Sequence, residues 1–262
     1  MYTDLRCLPV LLMAMLTVAC SAGPDRRAEI EATKVLRVGA DATFPPFESV
    51  DSATGEVIGF DVDLMRAICG TLGYQVEFIV VPFDDIVTGL TVQEYDAIIS
   101  AFTITPERRE RVLFSDPYYI SGQVIAVHAR DTTTRSADDL RGRRVGVQLG
   151  TTGEKLAMQL PQVEVFKYDN IKAAFLDLLA NRVDAVINDR PTTEAHIAHG
   201  DSARIVGDLL SREEYAVAFR RTDTWLQEKF NAALADFMKT PAYRQLLERY
   251  LHGGVGDHVV VP

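Results

Sequence analysis

The sequence predicts an α/β protein of two lobes, each a mostly parallel sheet flanked by helices, joined by a hinge that the chain crosses twice. Three observations predict it. From residue 35 onward, short β-rich runs alternate with helical patterns, as βαβ units require. The chain also echoes itself: YDAIIS at 95–100 is matched by VDAVIN at 183–188. Each closes a strand–helix–strand–helix–strand run, one starting near Val35 and the other near Arg144. Finally, two extended runs, 123–129 and 215–220, flank the second unit. If both cross over, the second lobe is an insertion in the first, and a cleft lies between them.

The elements follow in order. Strands are expected at 35–40, 75–81, 95–100, 123–129, 144–148, 163–168, 183–188 and 215–220, each a short run rich in β-branched or aromatic residues. Phe60, Leu64, Met65, Ile68 and Leu72 recur at helical spacing, as do Ile171, Ala174, Phe175, Leu178 and Leu179. Trp225, Phe230, Leu234 and Phe237 mark a later helix. Thr240-Pro241 reads as an N-cap followed by proline at the first helical position of the next. The expected division is a leader at 1–19, a linker at 20–34, a discontinuous first lobe at 35–122 and 215–252, a second lobe at 123–214 and a tail at 253–262. Hinge motion is expected near 122–124 and 214–216.

Composition excludes several classes. The 262 residues are 47% hydrophobic and 24% charged, which excludes disorder, collagen and coiled coil. The net charge is −10 with no long basic run, so nothing points to nucleic acid. The cysteines Cys7, Cys20 and Cys69 are too few for a disulfide framework, and Cys69 on an apolar stretch reads as inert packing. Residues 7–20, CLPVLLMAMLTVAC, form an apolar run shorter than the roughly 20 residues that span a bilayer. That is the length of a secretory signal core. TVAC followed by Ser21 resembles a lipoprotein processing site, which implies lipidation at Cys20.

Open parallel sheets bind ligands beyond the carboxyl ends of their strands. Those ends carry DATFPPFE at 41–48, Pro82-Phe83, SAFTIT at 100–105 followed by Arg108, QLGTTGE at 148–154 and Asn188-Asp189. One lobe thus offers aromatics, hydroxyls and an arginine. The other offers a Gly/Thr turn at a helix N-terminus and an aspartate. This set suits a zwitterion.

VLRVGADATFPPFE, GEVIGFDVDLMRAI, YDAIISAFTITPERRERVLFSDPYY, VGVQLGTTGE and RVDAVINDRPT resemble the bacterial extracellular solute-binding proteins of the polar amino acid family. The resemblance runs from about Val35 to Leu251 with motif order and spacing kept. It implies the two-lobed type II periplasmic binding protein fold, and a monomer that closes on an amino acid and passes it to an integral membrane permease with its ATPase. Location at the periplasm or the outer membrane face, lipid-anchored if Cys20 is processed, follows from the same resemblance, and no cofactor is implied. Carried over by position, Arg108 grips the ligand α-carboxylate, aided by Thr103, the backbone at Ala101, and Thr152. Asp189 accepts from the α-ammonium. Phe44 and Phe83 wall the ligand, while Asp41, Gln148 and Glu48 stand at its side-chain end. An arginine, lysine, ornithine or histidine ligand is expected, with glutamine next.

Plainer roles compete. PERRER at 106–111 alone would be a solvated helix face, Asp41 a turn cap, Phe44 and Phe83 plain core, and Asp189 a helix cap. Thr151 and Glu154 fit a capping box, with Thr151 as N-cap and Glu154 at N3. His196 and His199 at helical spacing lack a third ligand, so no metal site is expected. Two other functions use the same scaffold: a cyclohexadienyl dehydratase-like enzyme, in which Glu154 falls where that family's catalytic glutamate would, and a sensory module presenting the amino acid to a partner.

Overall fold

The computed structural model describes residues 26–198 and 202–251; the expected leader, Cys7, Cys20, His199 and the expected tail lie outside the described residues. Two five-stranded sheets organise them. The first runs Gln75–Val80, Val35–Ala40, Ala97–Ile98, Ala218–Arg220, Val112–Phe114. The second runs Glu164–Tyr168, Arg144–Gln148, Ala185–Asp189, Gln123–His128, Ala203–Val206. In each, the first three strands are parallel and the fourth is antiparallel to both neighbours. Four strands of each sheet therefore point one way. The odd strand in each, Gln123–His128 or Ala218–Arg220, is the one on which the chain enters that sheet after crossing between lobes.

Apolar side chains cover both faces of both sheets, as parallel strands require. One face of the first sheet takes the helix Phe60–Thr71, whose Phe60, Leu64, Met65 and Ile68 are fully buried at the helical spacing seen in the sequence. The other takes Ile86 and Leu90 of the helix Ile86–Thr91. In the second lobe, Ile171, Ala174, Phe175 and Leu178 of the helix Ile171–Leu179 fill one side, and Leu140 and Ala157 the other. Thr240 caps the helix Pro241–Tyr250 by accepting from Tyr243 N.

Some elements differ from expectation. The run 95–100 is strand only at Ala97–Ile98, because Ser100 and Ala101 already turn towards the cleft. The run 215–220 is split between two partners: Glu213–Tyr215 pairs with Tyr119–Ser121, whereas Ala218–Arg220 joins the first sheet. The stretch read as a linker carries the helix Arg26–Thr33, with Ile30 buried. Its single buried apolar residue gives no periodic signal. A small sheet of Thr43–Phe44, Glu48–Val50 and Val57–Ile58 was also invisible, its strands being two or three residues long.

The pairing of Tyr119–Ser121 with Glu213–Tyr215 brings both crossings together. A Cβ on Gly122 would lie 2.2 Å from Ser211 O, so this approach tolerates no side chain. Tyr215 anchors the crossing in an aromatic cluster, its ring 5.2 Å from that of Phe47 and 5.8 Å from that of Tyr119.

The internal echo has a shared physical basis. Asp96 accepts from Arg37 N at 3.1 Å, and Asp184 from Arg144 N at 2.8 Å. In return Asp96 N donates to Arg37 O, and Asp184 N to Arg144 O, both at 2.8 Å. Each aspartate thus ties the third parallel strand to the start of its neighbour. Their surroundings differ: Asp96 is fully buried among Arg26, Arg37 and Arg220, while the Asp184 side chain is 26% exposed beside Arg144. Removing one partner from a buried charge network costs about 3 to 5 kcal/mol, against about 1 to 2 kcal/mol at a partly solvated pair. Urea denaturation should therefore show Asp96→Ala far more destabilised than Asp184→Ala; equal losses would contradict this account.

Candidate functional site

The carboxyl ends of the parallel strands of both lobes face one narrow, tightly closed cavity, lined by Phe44, Phe83, Ser100, Ala101, Thr103, Arg108, Gln148, Thr151, Thr152 and Asp189. The lobes are closed upon it. Gln148 Nε2 donates across the cleft to Asp41 at 2.8 Å, Arg108 Nη2 donates to Gly150 O at 3.2 Å, and Lys155 pairs with Glu107 at 3.2 Å.

Arg108 is placed by a short helix, Pro106–Arg111, whose N-cap Thr105 accepts from Arg108 N. The guanidinium folds back so that Nη1 donates to Thr103 O at 2.8 Å. It lies over the ring of Phe102 at 4.1 Å and within 5.4 Å of that of Phe83. Burial pulls its pKa down to about 10, opposed by the charges of Glu213 and Asp189, so it stays positive at neutral pH. The solvated-face alternative for Arg108 does not hold; its neighbours Arg109 and Arg111 are the exposed ones.

Asp189 ends the strand Ala185–Asp189 and is 6% exposed. Tyr215 OH donates to its Oδ1. Burial first, and then repulsion from Glu213, push its pKa up to about 7. The helix Thr152–Gln159 starts beside it with Thr151 as N-cap, accepting from Glu154 N at 3.2 Å. Gly153 belongs here for want of space: a Cβ would meet Gln123 Oε1 at 2.8 Å and Ile187 O at 3.1 Å.

At the other end, Asp41 Oδ2 accepts from Gln148 Nε2 and from Thr43 Oγ1, both at 2.8 Å, and burial raises its pKa. Because the amide nitrogen of Gln148 is turned to Asp41, its Oε1 is left buried without a partner. Ser100 Oγ donates to Glu48 Oε1 at 2.6 Å and accepts from Asp41 N at 3.1 Å. Behind it, burial and the adjacent Asp61 hold Glu48 well above the usual carboxylate range. Protonated Glu48 can then donate to Asp61, whose Oδ2 accepts from Ala101 N at 2.7 Å and Tyr118 OH at 2.8 Å. Ala42 (φ 54°) and Ala101 (φ 43°) both adopt left-handed backbone, a strain of about 1 to 3 kcal/mol each that clusters at binding sites.

The structure thus brings together Phe44, Phe83, Ala101, Thr103, Arg108, Gln148, Thr152 and Asp189 around the cavity, with Asp41 bonded to Gln148 at its edge. Glu48 is not among the lining residues; it stands one layer back, behind Ser100. The hydroxyls of Thr103 and Thr152 are not free donors, since both donate to Glu213 at 2.8 Å. Sequence reasoning missed Glu213, which sits in Ser211-Arg212-Glu213-Glu214 and reads there as a solvated run. The period of two from Tyr215 is the signal that puts it on the same face. Glu154 is engaged elsewhere: Oε2 accepts from Gly150 N at 2.6 Å, one residue before the N-cap, and Oε1 pairs with Lys167. His196 stacks on Phe175, and among the described residues no cluster of metal-ligating side chains occurs.

Comparison with known proteins shows the family and the fold. The model of the bacterial extracellular solute-binding proteins, family 3, matches residues 36–253. ABC transporter arginine-binding protein 1 of Escherichia coli (strain K12) is 32% identical over 225 residues, covering 84% of this chain and 91% of that protein. The structure of an ancestral arginine-binding protein bound to arginine superposes with TM-score 0.80 at 40% identity, covering 83% of this chain and 98% of the other. An ancestral amino acid-binding protein, a precursor of cyclohexadienyl dehydratase, gives TM-score 0.80 at 35% identity over 85% of this chain and 98% of its own. The two-lobed architecture is that of the type II periplasmic binding proteins. By the match of its sequence and its two sheets around one cleft, the chain belongs to the bacterial extracellular solute-binding proteins, family 3.

Proposed function

We propose that the protein binds a cationic L-amino acid, arginine foremost, by closing its lobes, and delivers it to the permease of an ATP-driven importer. The observation that carries this is the acceptor-only end of the cavity. The buried Asp41 carboxylate and the unpartnered Oε1 of Gln148 lie together there, and a buried charge without a countercharge and a buried acceptor without a donor are both costly. A guanidinium or ammonium supplies donors and charge at once. A carboxylate side chain would add repulsion, and an apolar one would leave Gln148 Oε1 without a donor and the Asp41 carboxylate without a countercharge. The arginine-binding relatives support the reading.

At the opposite end, the Arg108 guanidinium suits the α-carboxylate through two parallel hydrogen bonds, and Asp189 suits the α-ammonium. Phe44 and Phe83 wall the space between. With Arg108 on one lobe and Asp189 on the other, a ligand touching both gains more from the closed form than from the open one, which shifts the population towards closure. The role is binding without catalysis: Glu154, the residue a dehydratase would use, is tied to Gly150 and Lys167 outside the cavity lining. Export, with lipid anchoring through Cys20, completes the reading on the strength of the 7–20 segment.

Calorimetry with L-arginine tests it. A charge-assisted bond contributes roughly 1.5 to 3 kcal/mol, and a stranded buried partner adds to the loss. Arg108→Ala and Asp189→Ala should each weaken binding by roughly tenfold to a thousandfold, while Glu154→Gln, which keeps an acceptor for Gly150 N, should leave it within about threefold. Absence of arginine binding by the folded parent, or undiminished binding by Arg108→Ala, would sink the proposal.

Binding should also depend on pH through Asp189. Its carboxylate must be ionised to accept from the ammonium, and its pKa in the unliganded cleft is about 7. Affinity is then full above pH 7 and declines as pH falls through it, approaching tenfold per unit. Between pH 8 and pH 5.5 the loss should be roughly 30-fold, and Asp189→Asn should flatten the profile. A flat profile for the parent would contradict the assignment.

A further inference from the structure

Two fully buried acids, Glu48 and Asp61, lie behind the cavity wall and touch no part of the proposed ligand. Backbone bonds bring them together: Phe60 N donates to Pro46 O at 2.9 Å, and Asp61 N to Phe47 O at 3.0 Å. Their carboxyls are within hydrogen-bonding reach of each other, yet Glu48 Oε2 and Asp61 Oδ1 are both buried without a donor. The titratable groups that face the pair are Asp41, beyond Ser100, and Tyr118, which is backed by Tyr243; none of them is a cation. Ionised carboxylates only accept, so two of them in contact here would repel with nothing between them. A single proton serves both orphaned oxygens. Asp61 is the better seat for the charge. Its Oδ2 accepts from Ala101 N at 2.7 Å and Tyr118 OH at 2.8 Å, and it stands in the first turn of its helix, where anions are favoured. Glu48 accepts only from Ser100 Oγ, at 2.6 Å. Burial acts in the same direction, raising Glu48 well above the usual carboxylate range and Asp61 to about 6.

We infer that Glu48 and Asp61 share one proton, Glu48 as neutral donor and Asp61 as anion, and act as a positioning pair that fixes Ser100, Ala101 and Asp41 at the edge of the cavity. Through Ser100 Oγ, which accepts from Asp41 N at 3.1 Å, Glu48 holds the backbone of Asp41. Through Ala101 N, Asp61 holds the left-handed turn at Ala101, whose φ is 43°. The assignment also sets the charge at that end of the cleft. Glu48 brings none, so a cationic side chain finds its countercharge in Asp41 and not in Glu48. This last consequence rests on the proposed cationic ligand; the shared proton does not. Because Glu48 takes up a proton on folding, its contribution to stability is full below the ordinary glutamate range and is lost as pH rises through its folded-state value.

Carboxyl-carbon NMR of the full protein reads the proton directly. At about pH 7 the Glu48 side-chain resonance, assigned through its own backbone, should lie where a protonated acid lies, and an ionised Glu48 would overturn the inference. Urea denaturation gives a second reading. From about pH 6.5 to about pH 7.5 the unfolding constant of the parent should rise about tenfold relative to that of Glu48→Gln, which carries its own hydrogens. Parallel profiles would contradict the shared proton. Calorimetry with L-arginine tests the positioning. Glu48→Gln can donate to Asp61 and accept from Ser100, and should bind within about twofold of the parent, whereas Glu48→Leu should lose about tenfold. A loss in Glu48→Gln as large as that in Glu48→Leu would mean that Glu48 acts on the ligand as an anion. Undiminished binding by folded Glu48→Leu would remove the positioning role. If circular dichroism shows that Glu48→Leu does not fold, Ser100→Ala cuts the same link to Asp41 and should weaken arginine by about threefold or more; unchanged binding there overturns the positioning as well. If arginine does not bind the parent, the proposed ligand is wrong, and the resonance and the unfolding profiles still decide the pair.

Discussion

The cleft sets one cation among buried acids. Arg108 shares it with Asp189, Glu213 and Asp41, each no more than 7% exposed. With all three acids ionised, the site carries more negative charge than a single guanidinium can offset. Unpaired charge in a poorly hydrated space is costly, so the carboxyls of Asp41 and Asp189 respond by holding their protons more tightly. A cationic amino acid brings two positive charges and one negative, and reduces the excess.

The fold exists to bring those groups to one place. Both sheets set three parallel strands in the order second, first, third beside one odd antiparallel strand, and both use an aspartate, Asp96 or Asp184, to fasten the third parallel strand to its neighbour. Their carboxyl ends then face each other across the hinge. The hinge is held by Tyr215, which joins an aromatic cluster with its ring and the cleft with its hydroxyl on Asp189. Hinge strand and binding group are thereby one continuous contact.

Much of this was legible before any coordinates. The echo at 95–100 and 183–188 revealed two similar units because the same backbone exchange recurs in both. The helix of Phe60, Leu64, Met65 and Ile68 was legible because burial on one face imposes its spacing. Arg108 and Asp189 stood out through motif context, for composition alone made Arg108 one more residue of a charged run. What was hidden had no local signature. The helix Arg26–Thr33 is fixed by one isoleucine and by Arg26 reaching Asp96, a partner 70 residues away. Glu213 is tied to the cleft by Thr103 and Thr152, distant in sequence and on different lobes. Glu48 was placed at the ligand because strand-end position does not reveal depth; Ser100 stands in front of it.

The central claim is that the cleft sorts a cationic amino acid by its ends. A crystal structure of the protein grown with L-arginine tests it most directly. The account predicts the α-carboxylate on Arg108, the α-ammonium on Asp189, and the guanidinium between Phe44 and Phe83, reaching Asp41 and Gln148 Oε1. Arginine bound in the reverse sense, with its guanidinium on Asp189 and its α-groups at Asp41, would contradict it, as would density for the ligand only outside the cleft.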